Sequence, residues 1–164
     1  MSLDGFIAGP GDEMDWALDF FRDDPFPEVA ASTGAMLVGR RTHDVARRMA
    51  TEDTGYDGGP QFVLTHRVPD DPDPAVSYLT VDLAEALDTA HAAAGGKDVE
   101  VLGADLAAQC LRRGLVDEVL VYLLPVLLGE GVRFSPPGAA RVDLEPFHLS
   151  RSGPVTLLRF SVRR

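Results

Sequence analysis

Three short stretches of this chain carry the small, hydroxyl or basic residues that can hold a phosphate. They are Gly39-Arg40-Arg41-Thr42, Thr65-His66-Arg67 and Gly103-Ala104-Asp105. A guanidinium matches phosphate oxygens in a two-pronged fork. A small-residue turn ahead of a helix lets backbone N–H groups approach an anion at the helix's positive end. Arg40 or Arg41 can meet a pyrophosphate, and Thr42 adds a hydroxyl and an N–H at the helix start. Thr65, His66 and Arg67 can hold a further phosphate, such as the 2′-phosphate that distinguishes NADPH from NADH. Cations at a helix start oppose its dipole, so the arginine pair calls for a compensating anion.

The elements that must position these residues follow from pattern. Val99 to Leu102 is an apolar strand, and Leu106, Ala107, Cys110 and Leu111 recur at helical spacing up to about Arg113. Ala35 to Val38 is a second strand, with a helix predicted over Thr42 to Met49. Gln61 to Thr65 is a third. Phe6 to Ala8 forms a short opening strand. Asp12 is a predicted N-cap for a helix over Glu13 to Arg22, ended by Asp23-Asp24-Pro25. Pro27 to Thr33 is a short helix, and Thr51 to Pro60 and Val68 to Pro74 are loops. Val76 to Val81 alternates as a strand. Asp82 caps a helix to Ala94 that Gly95-Gly96 ends. Val119 to Leu124 is a strand, and Val142 to Ser150 with Val155 to Arg163 should form an antiparallel hairpin. Alternating strands and helices imply an α/β fold with a mixed, mostly parallel central sheet covered on both faces. If the three phosphate stretches end neighbouring strands, they converge on one groove, because ligands bind outside the carboxyl ends of such sheets.

The net charge of −11 argues against general nucleic-acid or anionic-membrane binding. No apolar run approaches a membrane span, and no signal-peptide pattern opens the chain. The single cysteine, Cys110, falls on the buried helix face and reads as a core thiol. These features fit a cytoplasmic protein. No metal-ligand spacing, nucleophile elbow, GxGxxG or Walker motif occurs. His43, Asp44 and Arg47 read as a solvated helix face, since adjacent helical residues do not face each other. Asp15, Trp16, Asp19, Phe20 and Phe21 read either as an amphipathic surface helix or as a lid whose aromatics cover a flat heterocycle while a carboxylate handles a proton.

Taken in order, these residues resemble the dihydrofolate reductase-like superfamily, in the branch similar to the C-terminal reductase domain of bacterial riboflavin biosynthesis proteins (RibD). Ser2-Leu3-Asp4-Gly5-Phe6-Ile7-Ala8-Gly9 looks like its opening motif and Asp15-Trp16 like its loop tryptophan. Val38-Gly39-Arg40-Arg41-Thr42 is similar to its Gly-Arg-x-Thr cofactor motif, and Leu102-Gly103-Ala104 to its second phosphate turn. Leu115-Val116-Asp117-Glu118, then Pro125 to Leu128, Gly129, Gly131 and Phe134, resemble the branch's late signature.

The resemblance implies a three-layer α/β/α architecture with a C-terminal antiparallel hairpin, as one domain over residues 1–164. The family's first strand normally runs into the Ser-Leu-Asp-Gly motif, whereas this chain begins at Met1 inside it. Most of that strand is therefore expected to be lacking. NADPH as hydride donor and a homodimer are also implied. Ile7 and Ala8 would line the nicotinamide pocket. Gly39, Arg40 and Thr42 would hold cofactor phosphates, Thr65, His66 and Arg67 would lie near the adenosine ribose, and Gly103 and Ala104 against the pyrophosphate. Asp4, Trp16 and Phe20 are candidate substrate-binding residues, and Asp15 and Asp19 candidate proton donors. Ala104 stands where classical dihydrofolate reductases carry a second glycine, and no carboxylate clearly matches their pterin-binding acid. The expected function is NADPH-dependent reduction of a small polar heterocycle, pterin- or pyrimidine-like. The alternatives are a non-catalytic nucleotide- or partner-binding module and a purely structural dimerisation domain.

Overall fold

The computed structural model describes residues 1–21, 26–49 and 59–163. The expected helix stop at Asp23-Asp24-Pro25 and most of the Thr51 to Pro60 loop lie outside them. In chain order the elements are β1 (Phe6–Ala8), α1 (Asp15–Leu18), α2 (Pro27–Ser32), β2 (Thr33–Gly39), α3 (Arg40–Met49), β3 (Gln61–Leu64), β4 (Ser77–Leu79), α4 (Leu83–Ala94), β5 (Asp98–Leu102), α5 (Ala104–Arg112), β6 (Glu118–Leu123), β7 (Val132–Arg133), β8 (Leu144–Ser152) and β9 (Val155–Val162). They fall into two compact units, one of residues 27–106 and one of residues 1–26 with 107–164.

The 27–106 unit is a parallel sheet in the order β4-β3-β2-β5. Its inner strand β2 buries Ala35, Met36, Leu37 and Val38 consecutively, the unbroken apolar run of a strand covered on both faces. Helix α4 buries Leu83, Ala86, Leu87, Ala90 and Ala94, one stripe at helical spacing. The Asp82 carboxylate accepts from the N–H groups of Ala84 and Glu85, and Gly95 closes the helix in the left-handed conformation. The predicted cap and stop both hold.

The second unit holds the antiparallel sheet β6-β9-β8 and the pair β1-β7. The predicted hairpin is present, with Ser152 registered against Val155. The parallel and antiparallel strands thus form separate hydrogen-bonded sets. A side chain on Gly131 would collide with the Ala8 carbonyl oxygen, so a glycine there (φ +135°) lets the β7 segment lie against β1.

One expected helix is corrected. In place of a helix from Glu13 onward there is a 3-10 turn at Pro10–Asp12 and then only the four residues of α1. Asp12 cannot serve as the cap because it sits at φ +70°. Met14 takes the cap position with no side-chain acceptor. Beyond Leu18 the chain turns through i→i−3 bonds, Phe20 N–H to Ala17 O and Phe21 N–H to Leu18 O. A helix this short without a cap gains little over its nucleation cost.

Candidate functional site

Register places the three candidate phosphate-binding stretches side by side. Gly39 at the end of β2 pairs with Leu64 at the end of β3, and Val38 pairs with Leu102 at the end of β5. The next residues, Arg40, Thr65 and Gly103, therefore leave the sheet together at its carboxyl edge. Helix α3 starts at Arg40 rather than at Thr42, and α5 starts at Ala104, so two helix N-termini open on this edge. Gly103 has φ +111°, and a Cβ built on it would lie 2.6 Å from the Thr42 hydroxyl oxygen. The absence of a side chain there brings the 103 backbone against the start of α3.

Between the start of α3 and the segment after β3 lies an open cavity of about 290 Å³ lined by Arg40, Arg67, Val68, Pro69 and Asp70. Of the two arginines starting α3, Arg40 is thus the one on the cavity. Its Nε donates to both carboxylate oxygens of Asp44, at 2.8 and 2.9 Å, and its Nη1 reaches the Arg67 carbonyl at 3.4 Å. Arg67 pairs with Asp70 at 2.8 Å. The Thr65 hydroxyl donates to the Arg67 carbonyl and accepts from the Arg67 N–H, shaping the turn that exposes His66 and Arg67.

The solvated reading of His43 is overturned. It is 2% exposed, and its Nε2 lies 3.0 Å from the Tyr78 hydroxyl. That hydroxyl accepts from the Asp73 N–H, which leaves its proton free to donate to a neutral imidazole. Burial lowers the His43 pKa, opposed by Asp73 and Asp44. Arg47 adds a bond to the Asp71 carbonyl at 3.1 Å. Arg40, His43 and Arg47, on successive turns of α3, thus hold the β3–β4 connection that carries Arg67 and Asp70. Sequence reasoning missed Asp70, Asp73 and Tyr78. The Arg67–Asp70 pair lies outside any helix, so no helical spacing could have found it.

The other candidates lie in the second unit. Asp4 accepts from the N–H groups of Leu128 and Gly129 and from the Ser2 hydroxyl, which itself accepts from the Phe6 N–H. The Ser2 bond, then the Gly129 N–H, lower the Asp4 pKa to about 2. Its carboxylate thus clasps the opening turn to the segment after β6. Ile7 is half-buried and Ala8 buried on β1. Trp16 is half-buried and donates from its indole to the Glu13 carbonyl, Phe20 is half-buried, and Asp15 and Asp19 are exposed.

The family model described as RibD C-terminal domain matches residues 1–158. No curated protein matches the sequence. Several solved structures do. A Shewanella sp. PV-4 protein described as a riboflavin biosynthesis protein has a TM-score of 0.81 at 21% identity, over 100% of this chain and 96% of its own. RibD of Acinetobacter baumannii has a TM-score of 0.73 at 19% identity, over 99% of this chain and 56% of that one. The Thermotoga maritima diaminohydroxyphosphoribosylaminopyrimidine deaminase/5-amino-6-(5-phosphoribosylamino)uracil reductase has 0.64 at 17%, over 99% and 54%. At these identities the likeness is one of fold, and the chain spans little more than half of the last two proteins.

Proposed function

Because the chain belongs to the RibD C-terminal domain family, we propose that it is an NADPH-dependent reductase of a small polar heterocycle of pyrimidine or pterin type. The observation that carries this reading is the Gly103–Thr42 approach at the shared edge of β2, β3 and β5, with two arginines on the adjoining cavity. A side chain at position 103 would collide with the Thr42 hydroxyl and push the two turns that flank the proposed phosphate site apart. The donors around it suit a pyrophosphate: the Thr42 hydroxyl, the first N–H groups of α3 and those of α5. Arg40 and Arg67 suit a 2′-phosphate. When bound, the cofactor supplies a hydride, and the protein supplies binding and orientation. The uracil reductase named for the Thermotoga relative supports a pyrimidine-type acceptor. Ile7 and Ala8 are assigned to the nicotinamide, Trp16 and Phe20 to the acceptor, and Asp15 or Asp19 to proton delivery. Asp4 is assigned to holding the opening turn rather than to substrate.

Titration of the purified protein with NADPH and with NADH, followed by nicotinamide fluorescence, tests this. Saturable NADPH binding, weakened by about ten-fold in Arg40→Ala and Arg67→Ala, is the expected result. Absence of binding by either cofactor would sink the reading. A second reading, a nucleotide-binding module without turnover, is favoured by the engagement of the Asp4 carboxylate within the chain. It predicts binding with no cofactor oxidation in a screen of pyrimidine and pterin acceptors.

A further inference from the structure

The cavity at the sheet edge is lined by charges of both signs. Two of its lining residues are cations, Arg40 and Arg67, and one is an anion, Asp70. Asp44 holds Arg40 through both carboxylate oxygens. Arg40, Arg67, Asp44 and Asp70 together therefore carry no net charge. A phosphate entering this cavity finds guanidinium donors but no surplus of positive charge. It also meets the Asp70 carboxylate, which already takes one N–H of the Arg67 fork.

In Rossmann-type dinucleotide sites a carboxylate is the partner of a free ribose 2′-hydroxyl, and an arginine is the partner of a 2′-phosphate, a chemical pairing that does not depend on the fold. Here both stand in one wall, bonded to each other. We propose, on the strength of the dinucleotide reading above, that Asp70 is a specificity-determining residue that keeps this cavity open to both NADH and NADPH. With a 2′-hydroxyl, Asp70 accepts its proton in a hydrogen bond. With a 2′-phosphate, Arg67 exchanges Asp70 for the phosphate oxygens, and Asp70 turns outward to escape repulsion. The exchange is easy because both side chains are largely exposed, Arg67 at 81% and Asp70 at 91%. A pair so exposed contributes little and is readily broken. Val68 and Pro69 complete the wall with apolar surface of the kind that a purine covers.

The test is the dissociation constants of NADPH and NADH for wild type, Asp70→Asn and Asp70→Ala, by fluorescence titration at two salt concentrations. Wild type should favour NADPH by no more than about ten-fold. Asp70→Asn removes the charge but keeps an acceptor, so NADPH should bind about five-fold tighter with NADH nearly unchanged. Asp70→Ala should also weaken NADH, widening the ratio by about ten-fold. The gain for NADPH should shrink at high salt. An unchanged ratio in both variants, or tighter binding of both cofactors alike, would overturn the role of Asp70 and leave the reductase reading standing. Failure of both cofactors to bind any of the three proteins would instead remove the reductase reading, and this inference with it.

Discussion

The Thr42 hydroxyl occupies the space that a side chain on residue 103 would need, 2.6 Å from where its Cβ would fall. Two stretches 61 positions apart thus leave the sheet in contact, and the contact depends on a glycine in a left-handed conformation (φ +111°). Gly103→Ala should lose about 1–3 kcal/mol of stability from backbone strain, measured as a lower urea midpoint. NADPH affinity should fall by about ten-fold or more, since each factor of ten is ~1.4 kcal/mol. Gly95→Ala is the matched control. It has a left-handed φ of +62° with nothing within 4 Å of an added Cβ, so it should lose stability while binding NADPH as wild type does. Wild-type binding by Gly103→Ala would show that this turn is not a phosphate cradle.

Tyr78→Phe removes the hydroxyl shared by His43 and the Asp73 N–H. Leaving those two groups unpaired should cost about 1–3 kcal/mol. A wild-type urea midpoint for this variant would mean that the bonds carry no net stability.

The buried imidazole gives stability a pH dependence of definite sign. Its folded pKa lies below the ordinary 6.5. Between these two values the unfolded chain binds a proton that the folded chain does not. Stability should therefore fall as pH drops through that window and be indifferent to His43 above it. His43→Asn should flatten the curve of urea midpoint against pH below 6.5 relative to wild type. Parallel curves would rule out this contribution.

Asp4 acts in the same sense at lower pH. Its pKa drops from 3.8 to about 2 on folding, so its contribution is present above 3.8 and is lost as pH falls toward 2. Asp4→Asn should lower the midpoint at neutral pH, because the amide is a weaker acceptor for the Leu128 and Gly129 N–H groups. It should also shallow the acid limb of the stability curve. An acid limb as steep as that of wild type would mean that other carboxylates govern the loss.

The shared carboxyl edge of β2, β3 and β5 was legible in the sequence because each of its parts is local. Gly39-Arg40-Arg41-Thr42 and Gly103-Ala104 each follow an apolar run at once, so period and punctuation alone locate the strand ends. The choice between Arg40 and Arg41 was not legible, because it depends on where α3 begins, and the helix starts two residues earlier than its pattern suggested. His43 was misread for a related reason. Its partner, Tyr78, lies 35 residues away, and only the pairing of β3 with β4 brings them together. The overlong helix after Glu13 shows the opposite failure. The apolar spacing of Trp16, Ala17 and Phe20 is real, yet the left-handed turn at Asp12 removes the cap on which that helix depended.

The residue 65–76 connection contains no helix and no strand, yet it is not an autonomous loop. Its fixed points are side chains of α3: Arg40 at the Arg67 carbonyl, His43 through Tyr78 at Asp73, and Arg47 at Asp71. Its amide protons should therefore exchange with solvent through openings that also release α3, as one cooperative unit rather than by independent fraying. The cavity wall at Arg67 and Asp70 and the start of α3 are then a single mechanical part, and a binding event at either end would slow exchange at both.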